Sequence, residues 1–323
     1  MVASAVSVQR EGAVAVVLID NPPVNALSRP VRLGLLAAMR ELDADESTQA
    51  IVISGSQNQF IAGADIREMS LPPDEPFLPD VVAAVEAVRK PVIAAIAGPA
   101  LGGGLEIALA CDLRLATLNA SAGLPETRLG LIPGAGGTLR LPRVVGIAKA
   151  IELIGEARML KAPEALEAGI FDRIVDGDVV AEAVAVAPAQ RKRRLSDLPV
   201  PGSDPSLEDA AAAAVIKRAK GVPSVSEAVA IVLTARTEPF AAGLQRERAA
   251  FLRLRKSPEA RALRHLFLAE REAVKVPGLE NAIPRAIDRV AVVGAGTMGS
   301  GIAVALGALR PPGEKRAAHR RRR

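Results

Sequence analysis

Residues 98–112 read GPALGGGLEIALACD: an apolar approach, three consecutive glycines at 102–104, then a helical run with one acid, Glu106, in its first turn. Glycine lets the main chain come close to a ligand, and the start of a helix leaves N–H groups unpaired at the positive end of the dipole. A carboxylate placed there has two readings. It either stabilises the helix start or serves as a reactive group where negative charge develops, and this stretch alone does not choose between them.

On the N-terminal side, PVIAAIAG (91–98) predicts a strand that runs into this turn, and DLRLAT (112–117) returns to strand after the helix. Further upstream, AVAVVLID (13–20) and AIVISG (50–55) predict buried strands. Asn21-Pro22-Pro23 breaks the first, and residues 29–42 have helical spacing. FIAGADI (60–66) predicts a strand leading into a Gly-containing turn that exposes backbone N–H groups. Short strands alternating with helices predict an α/β domain whose loops follow the strand ends, where ligands usually sit.

Downstream, SAGLPETRLGLIPGAGGTLRLPRVVG (121–146) places Glu126 in a Gly/Pro-bounded loop with apolar surroundings. Burial there would raise its pKa toward a range useful for acid catalysis, while pairing with Arg128 or Arg140 would make it an ordinary surface glutamate. From Pro163, APEALEAGIFDRIV predicts a short helix stopped by Gly169 and a final strand. RKRRLSDLPVPGSDPS (191–206) then reads as a charge run and linker, with helices expected over 207–275. Within these, SVSEAVAIVLTA fits helix or strand.

Half of the 323 residues are hydrophobic, but six Phe and no Trp or Tyr supply the aromatic bulk, which argues against base stacking on nucleic acid. The net charge of +5 is misleading. Residues 310–323 hold seven Lys or Arg and one Glu, a net of +6, which leaves the rest of the chain at −1. This tail reads as solvated and disordered. A single cysteine, Cys111, excludes an intramolecular disulfide and suits a reducing cytoplasm. No apolar run has the length of a membrane span. Two histidines and no ligand cluster predict neither a metal site nor a His-based triad.

Together the AGAD turn, the GGG-x-E helix start and the PE-x-x-x-G-x-x-PG-x-GGT loop resemble the crotonase (enoyl-CoA hydratase/isomerase) superfamily over about residues 5–185. The resemblance implies a crotonase-like spiral of ββα turns and an acyl-CoA substrate. It also implies an oxyanion hole from the amides of Ala64 and Gly103, with Glu106 activating water, Glu126 supplying a proton, and Ala62 and Asp65 beside the CoA. No cofactor is implied for hydration. The rival readings are a Δ3-Δ2 enoyl-CoA isomerase and an inactive truncated product; family members form trimers or monomers, so the oligomeric state stays open. The loop at 69–80 is expected to border the acyl pocket.

After the helical stretch, GAGTMG (294–299) follows a strand-like VAVVG and precedes a helical pattern, as the dinucleotide fingerprint of Gly294, Gly296 and Gly299 requires. A crotonase domain followed by this fingerprint resembles the multifunctional β-oxidation enzymes, whose dehydrogenase domain uses NAD. The second strand with its ribose-binding acid, the catalytic His-Glu pair and the C-terminal helical domain of that family have no counterpart here. The expected organisation is a hydratase/isomerase domain at 1–190, a linker and helical connector at 191–285, an incomplete NAD-binding start at 286–309 without dehydrogenase activity, and the basic tail at 310–323.

Overall fold

A computed structural model describes residues 5–273, 278, 282–283, 285, 287 and 289–308. The chain divides into one compact unit, residues 1–271, and a second, residues 272–323. The basic run at 310–323 lies outside the described residues.

Six strands of the first unit form one sheet: β1 (Val6–Glu11), β2 (Val14–Ile19), β3 (Ala50–Gly55), β4 (Val92–Ile96), β6 (Leu113–Thr117) and β9 (Arg173–Val175), in that spatial order. The β1–β2 pair is antiparallel and the remaining pairs are parallel. A smaller sheet holds β5 (Pro99–Leu101), β7 (Ser121–Gly123) and β8 (Met159–Lys161). The chain therefore lays one strand in the large sheet and the next in the small one, β4 then β5, β6 then β7. This is the ββα spiral.

The Val/Ile runs read as strands because both faces of the large sheet are covered. Ile51 and Ile53 face the main core while Ala50 and Val52 face the opposite one. On the main side lie α1 (Arg29–Ala44), α2 (Leu78–Ala87) and α3 (Gly103–Ala110); Val179 and Ala183 of α8 (Val179–Val186) pack on the other. Between α3 and α8 in sequence come α4 (Gly137–Arg140), α5 (Pro142–Val145), α6 (Ile147–Gly155) and α7 (Ala162–Glu167), of which α4, α6 and α7 contribute to the main core. Cys111 is fully buried at the end of α3, and burial pushes its thiol up to about 12.

Within the expected linker at 191–206, the charge run is tied down at residues 192–194. Lys192 Nζ and the Arg193 amide bind the buried Asp112 at 3.0 and 2.6 Å, and Arg194 donates to the Glu86 carbonyl at 3.1 Å. Beyond them α9 (Pro205–Ala219), α10 (Pro223–Thr234), α11 (Phe240–Arg255) and α12 (Pro258–Ala273) are helical as expected, and the ambiguous 224–235 segment is helix. The expected seam at residue 190 does not divide the structure: α9 and α10 pack on α6, and α11 on α4.

In the second unit, helix α13 (Thr297–Ala308) follows Gly294 and Gly296 and contains Gly299 in its first turn. Residues 290–294, expected as a strand, are not in one, and Val293 is 99% exposed.

Candidate active site

The three motifs are stitched together at the backbone. Leu101 N–H donates to the Ile61 carbonyl at 3.1 Å, Gly102 N–H to the Gly123 carbonyl at 2.9 Å, and Leu27 N–H to the Gly63 carbonyl at 2.9 Å. This brings the amides of Ala64 and Gly103 side by side: a Cβ on Gly103 would lie 3.8 Å from Ala64 N. Among the described residues neither amide has a hydrogen-bond partner. Leu78 and Leu27 cover Gly103, so the loop expected to border the acyl pocket does reach this turn through α2.

Ala62 and Asp65 flank the same turn. The Ala62 amide is engaged by the Val24 carbonyl at 3.2 Å, and the Asp65 carboxylate by Arg67 at 2.8 Å, which holds its pKa below the usual range. Neither the Ala62 amide nor the Asp65 carboxylate is thus left without a partner in this turn.

Glu106, 1% exposed, projects from α3 toward the loop at 133–137, where Ala135 and Gly137 N–H donate to its Oε1 at 2.7 and 2.9 Å. Burial raises its pKa, while the two amides and the Arg140 charge oppose the rise. Glu126 stands on a short 3₁₀ turn, Pro125–Leu129, with its Oε1 against Gly102. Its Oε2 is enclosed and has no hydrogen-bond partner. Burial first, and the nearby charge of Glu106 second, push Glu126 well above the usual carboxylate range. The pairing with Arg128 or Arg140 that would have made it a surface glutamate is not formed: Arg140 is committed to Glu86.

A third carboxyl, unmarked in the sequence, completes the cluster. Glu247 reaches in from α11 and binds the same glycine-rich turn at Gly136 and Thr138. It sits in GLQRERAA, a charged helical stretch with no motif; only its position opposite α4 gives it a role. Burial and the Glu106 charge raise it to about 8, against the opposing pull of its Thr138 and Gly136 hydrogen bonds.

Gly294, Gly296 and Gly299 lie in the second unit. Gly294 has φ +105°, and a Cβ on Gly299 would lie 2.0 Å from the Gly294 carbonyl oxygen, the tight turn a fingerprint needs. The flanking valines are exposed and no strand forms among the described residues of this unit, so these residues do not fit the enclosed NAD site of a complete dinucleotide domain. Among the described residues no group of three potential ligands is placed to hold a metal, and no helix is long and apolar enough to cross a membrane.

The family model described as enoyl-CoA hydratase/isomerase matches residues 9–194. The chain is 42% identical over 305 residues to the peroxisomal bifunctional enzyme of Danio rerio, covering 91% of this chain and 42% of that protein. Against the Homo sapiens enzyme of the same name it is 40% identical over 316 residues, covering 93% and 43%. It thus spans less than half the length of these relatives. A crystal structure of an enoyl-CoA hydratase from Mycobacterium avium subsp. paratuberculosis superposes with a TM-score of 0.61 at 28% identity, over 82% of this chain and 96% of that one.

Proposed function

Because this chain belongs to the enoyl-CoA hydratase/isomerase family, we propose that it adds water across the double bond of a trans-2-enoyl-CoA, giving a 3-hydroxyacyl-CoA, as a step in fatty-acid β-oxidation. The observation that carries this reading is the pair of acids, the buried Glu106 and the half-buried Glu126 with its Oε2 enclosed, held in unequal environments beside two unpaired amides.

Glu106, with two amide donors and the Arg140 charge favouring its anion, is the base. It takes a proton from water as the oxygen attacks C3 of the enoyl thioester. The double-bond electrons move through C2 to the thioester oxygen, where the amides of Ala64 and Gly103 receive the developing charge, each contributing on the order of 3 kcal/mol. Glu126, its charged form disfavoured by burial and by Glu106, holds a proton and delivers it to C2. Two neighbouring acids pushed apart in pKa are what this division of labour needs.

A second reading, Δ3-Δ2 isomerisation, is supported by the unpartnered Glu126 Oε2, which is free to carry a proton between two carbons of a bound acyl chain. Feeding crotonyl-CoA and longer 2-enoyl-CoAs to the purified chain and following loss of enoyl absorbance tests hydration. Conjugation of a 3-enoyl-CoA without hydration of any 2-enoyl-CoA would replace the first reading by the second.

We place the chain in a reducing compartment, the cytoplasm, on its single buried cysteine. The curated relatives quoted above are named peroxisomal, so cell fractionation decides between the two.

A further inference from the structure

Four successive backbone amides, from Ala135 to Thr138, alternate between two buried carboxyls from different parts of the chain. Ala135 and Gly137 donate to Glu106 Oε1 at 2.7 and 2.9 Å. Gly136 donates to Glu247 Oε1 at 2.6 Å and Thr138 to Glu247 Oε2 at 3.0 Å, with the Thr138 hydroxyl closing on that same oxygen. One acid stands on each side of the turn.

The glycines make this possible. Gly136 has φ +97°, and a Cβ there would fall 1.9 Å from Arg140 Nη1. A Cβ on Gly137 would crowd Pro133 at 2.7 Å and Glu106 Oε1 at 3.0 Å. Glu247 is 1% exposed, and among the described residues it forms no ion pair. A buried acid without a counter-ion is costly, so the bonds to this turn are what its position serves.

We propose that Glu247 is a positioning residue for Glu106: by fixing the Gly136 and Thr138 amides it orients the Ala135 and Gly137 amides that hold the reacting carboxylate, which makes α11 of the connector part of the catalytic apparatus. This rests on the hydration reading. Without Glu247 the turn is free to rotate its N–H groups away. Glu106 then loses the donors that favour its anion and, in a buried site, keeps its proton instead of accepting one from water. The charged or titratable groups facing Glu106 and Glu247 are Glu126 on its 3₁₀ turn and Arg140 on α4, with Glu86 of α2 behind Arg140 and Arg248 on α11 itself. Burial holds Glu247 largely neutral at pH 7, so Glu247→Gln keeps the carbonyl acceptor for Gly136 and loses the acceptor for the Thr138 amide.

The test uses the full chain as wild type, Glu247→Ala and Glu247→Gln, each read by amide hydrogen exchange and by crotonyl-CoA hydration across pH. In Glu247→Ala the 135–138 amides are expected to exchange at least about tenfold faster while those of β3 do not change. kcat should fall about ten- to a hundredfold with KM nearly constant, and the acid limb of the kcat profile should move to higher pH. Glu247→Gln should recover most of kcat, with Thr138 exchanging faster than Gly136. A folded Glu247→Ala with wild-type exchange, or with wild-type kcat and acid limb, overturns the proposal. Should Glu247→Ala fail to fold, Glu247→Gln carries both measurements, and equal protection of Gly136 and Thr138 in it is the overturning result. A wild-type chain that shows slow exchange at 135–138 but no hydration overturns the hydration reading instead, and the holding of the turn by Glu247 remains supported.

Discussion

Arg140 and Glu86 form a two-pronged ion pair inside the protein, Nε to Oε1 at 3.0 Å and Nη2 to Oε2 at 2.7 Å, with the arginine side chain only 2% exposed. Arg140 also donates to the Ala135 carbonyl at 2.9 Å, so the pair ties α2 to the turn that carries the Glu106 donors. Removing one partner leaves a buried charge without compensation. Glu86→Ala is expected to cost ~3–5 kcal/mol in chemical denaturation. Desolvation works against the Glu86 charge, yet Arg140 and Ser196 hold its pKa below the usual range. Its contribution is therefore fully present above the ordinary glutamate pKa of about 4.3 and is lost as pH falls through the lower folded value. In Glu86→Ala, stability should lose that part of its acid dependence; an unchanged acid limb would remove Glu86 as its source.

Glu106→Gln and Glu126→Gln are each expected to depress hydration of crotonyl-CoA at least about a hundredfold, the scale of a lost general base or acid. Stability should move the other way. A carboxyl whose folded pKa is raised gives stability that is present below its unfolded pKa and lost as pH rises through the folded one. Replacing Glu126 by a neutral isostere removes that loss, so Glu126→Gln should melt no lower than wild type at pH 8 while being the less active protein. Near wild-type turnover in either variant would remove that residue from the mechanism.

The buried strands were readable because continuous Val/Ile runs such as AIVISG suit a parallel sheet covered on both faces. The two catalytic candidates were readable because glycine spacing around Glu106 and Glu126 reflects local backbone needs. Glu247 was not, since its partners lie 109 and 111 residues away and nothing local distinguishes it from a solvated helix acid. The RKRR run misled for the same reason: the counter-charges of Lys192 and Arg193, Asp112 and Asp172, and the Glu86 carbonyl that Arg194 binds are remote in sequence. SVSEAVAIVLTA carries both periods, and packing of α10 on α6 made the choice.

Gly104 tests the joint between the helix start and the AGAD turn. A Cβ there would fall 2.0 Å from the Ile61 carbonyl oxygen, which is main chain and cannot swing aside. Gly104→Ala must push the two motifs apart, at a cost of about 1–3 kcal/mol in stability. Because Ile61 leads into the turn bearing the Ala64 amide, hydration should fall by more than the loss of folded protein accounts for. Equal specific activity per folded molecule would mean that this contact does not set the spacing of the two amides.

The NAD fingerprint gives the last expectation. Gly294 and Gly299 make the tight turn that lets a backbone approach a pyrophosphate, and Thr297 begins α13. A dinucleotide site also needs a buried sheet edge and an acid at the end of a second strand to hold the ribose. Here Val290 and Val293 are 57% and 99% exposed, and no strand forms among the described residues of this unit. A turn of this kind without a sheet behind it gives neither affinity nor orientation for hydride transfer. The purified chain, supplied with a 3-hydroxyacyl-CoA and NAD, should therefore form no NADH while still hydrating crotonyl-CoA; steady NADH formation by this chain would show that the sheet assembles after all.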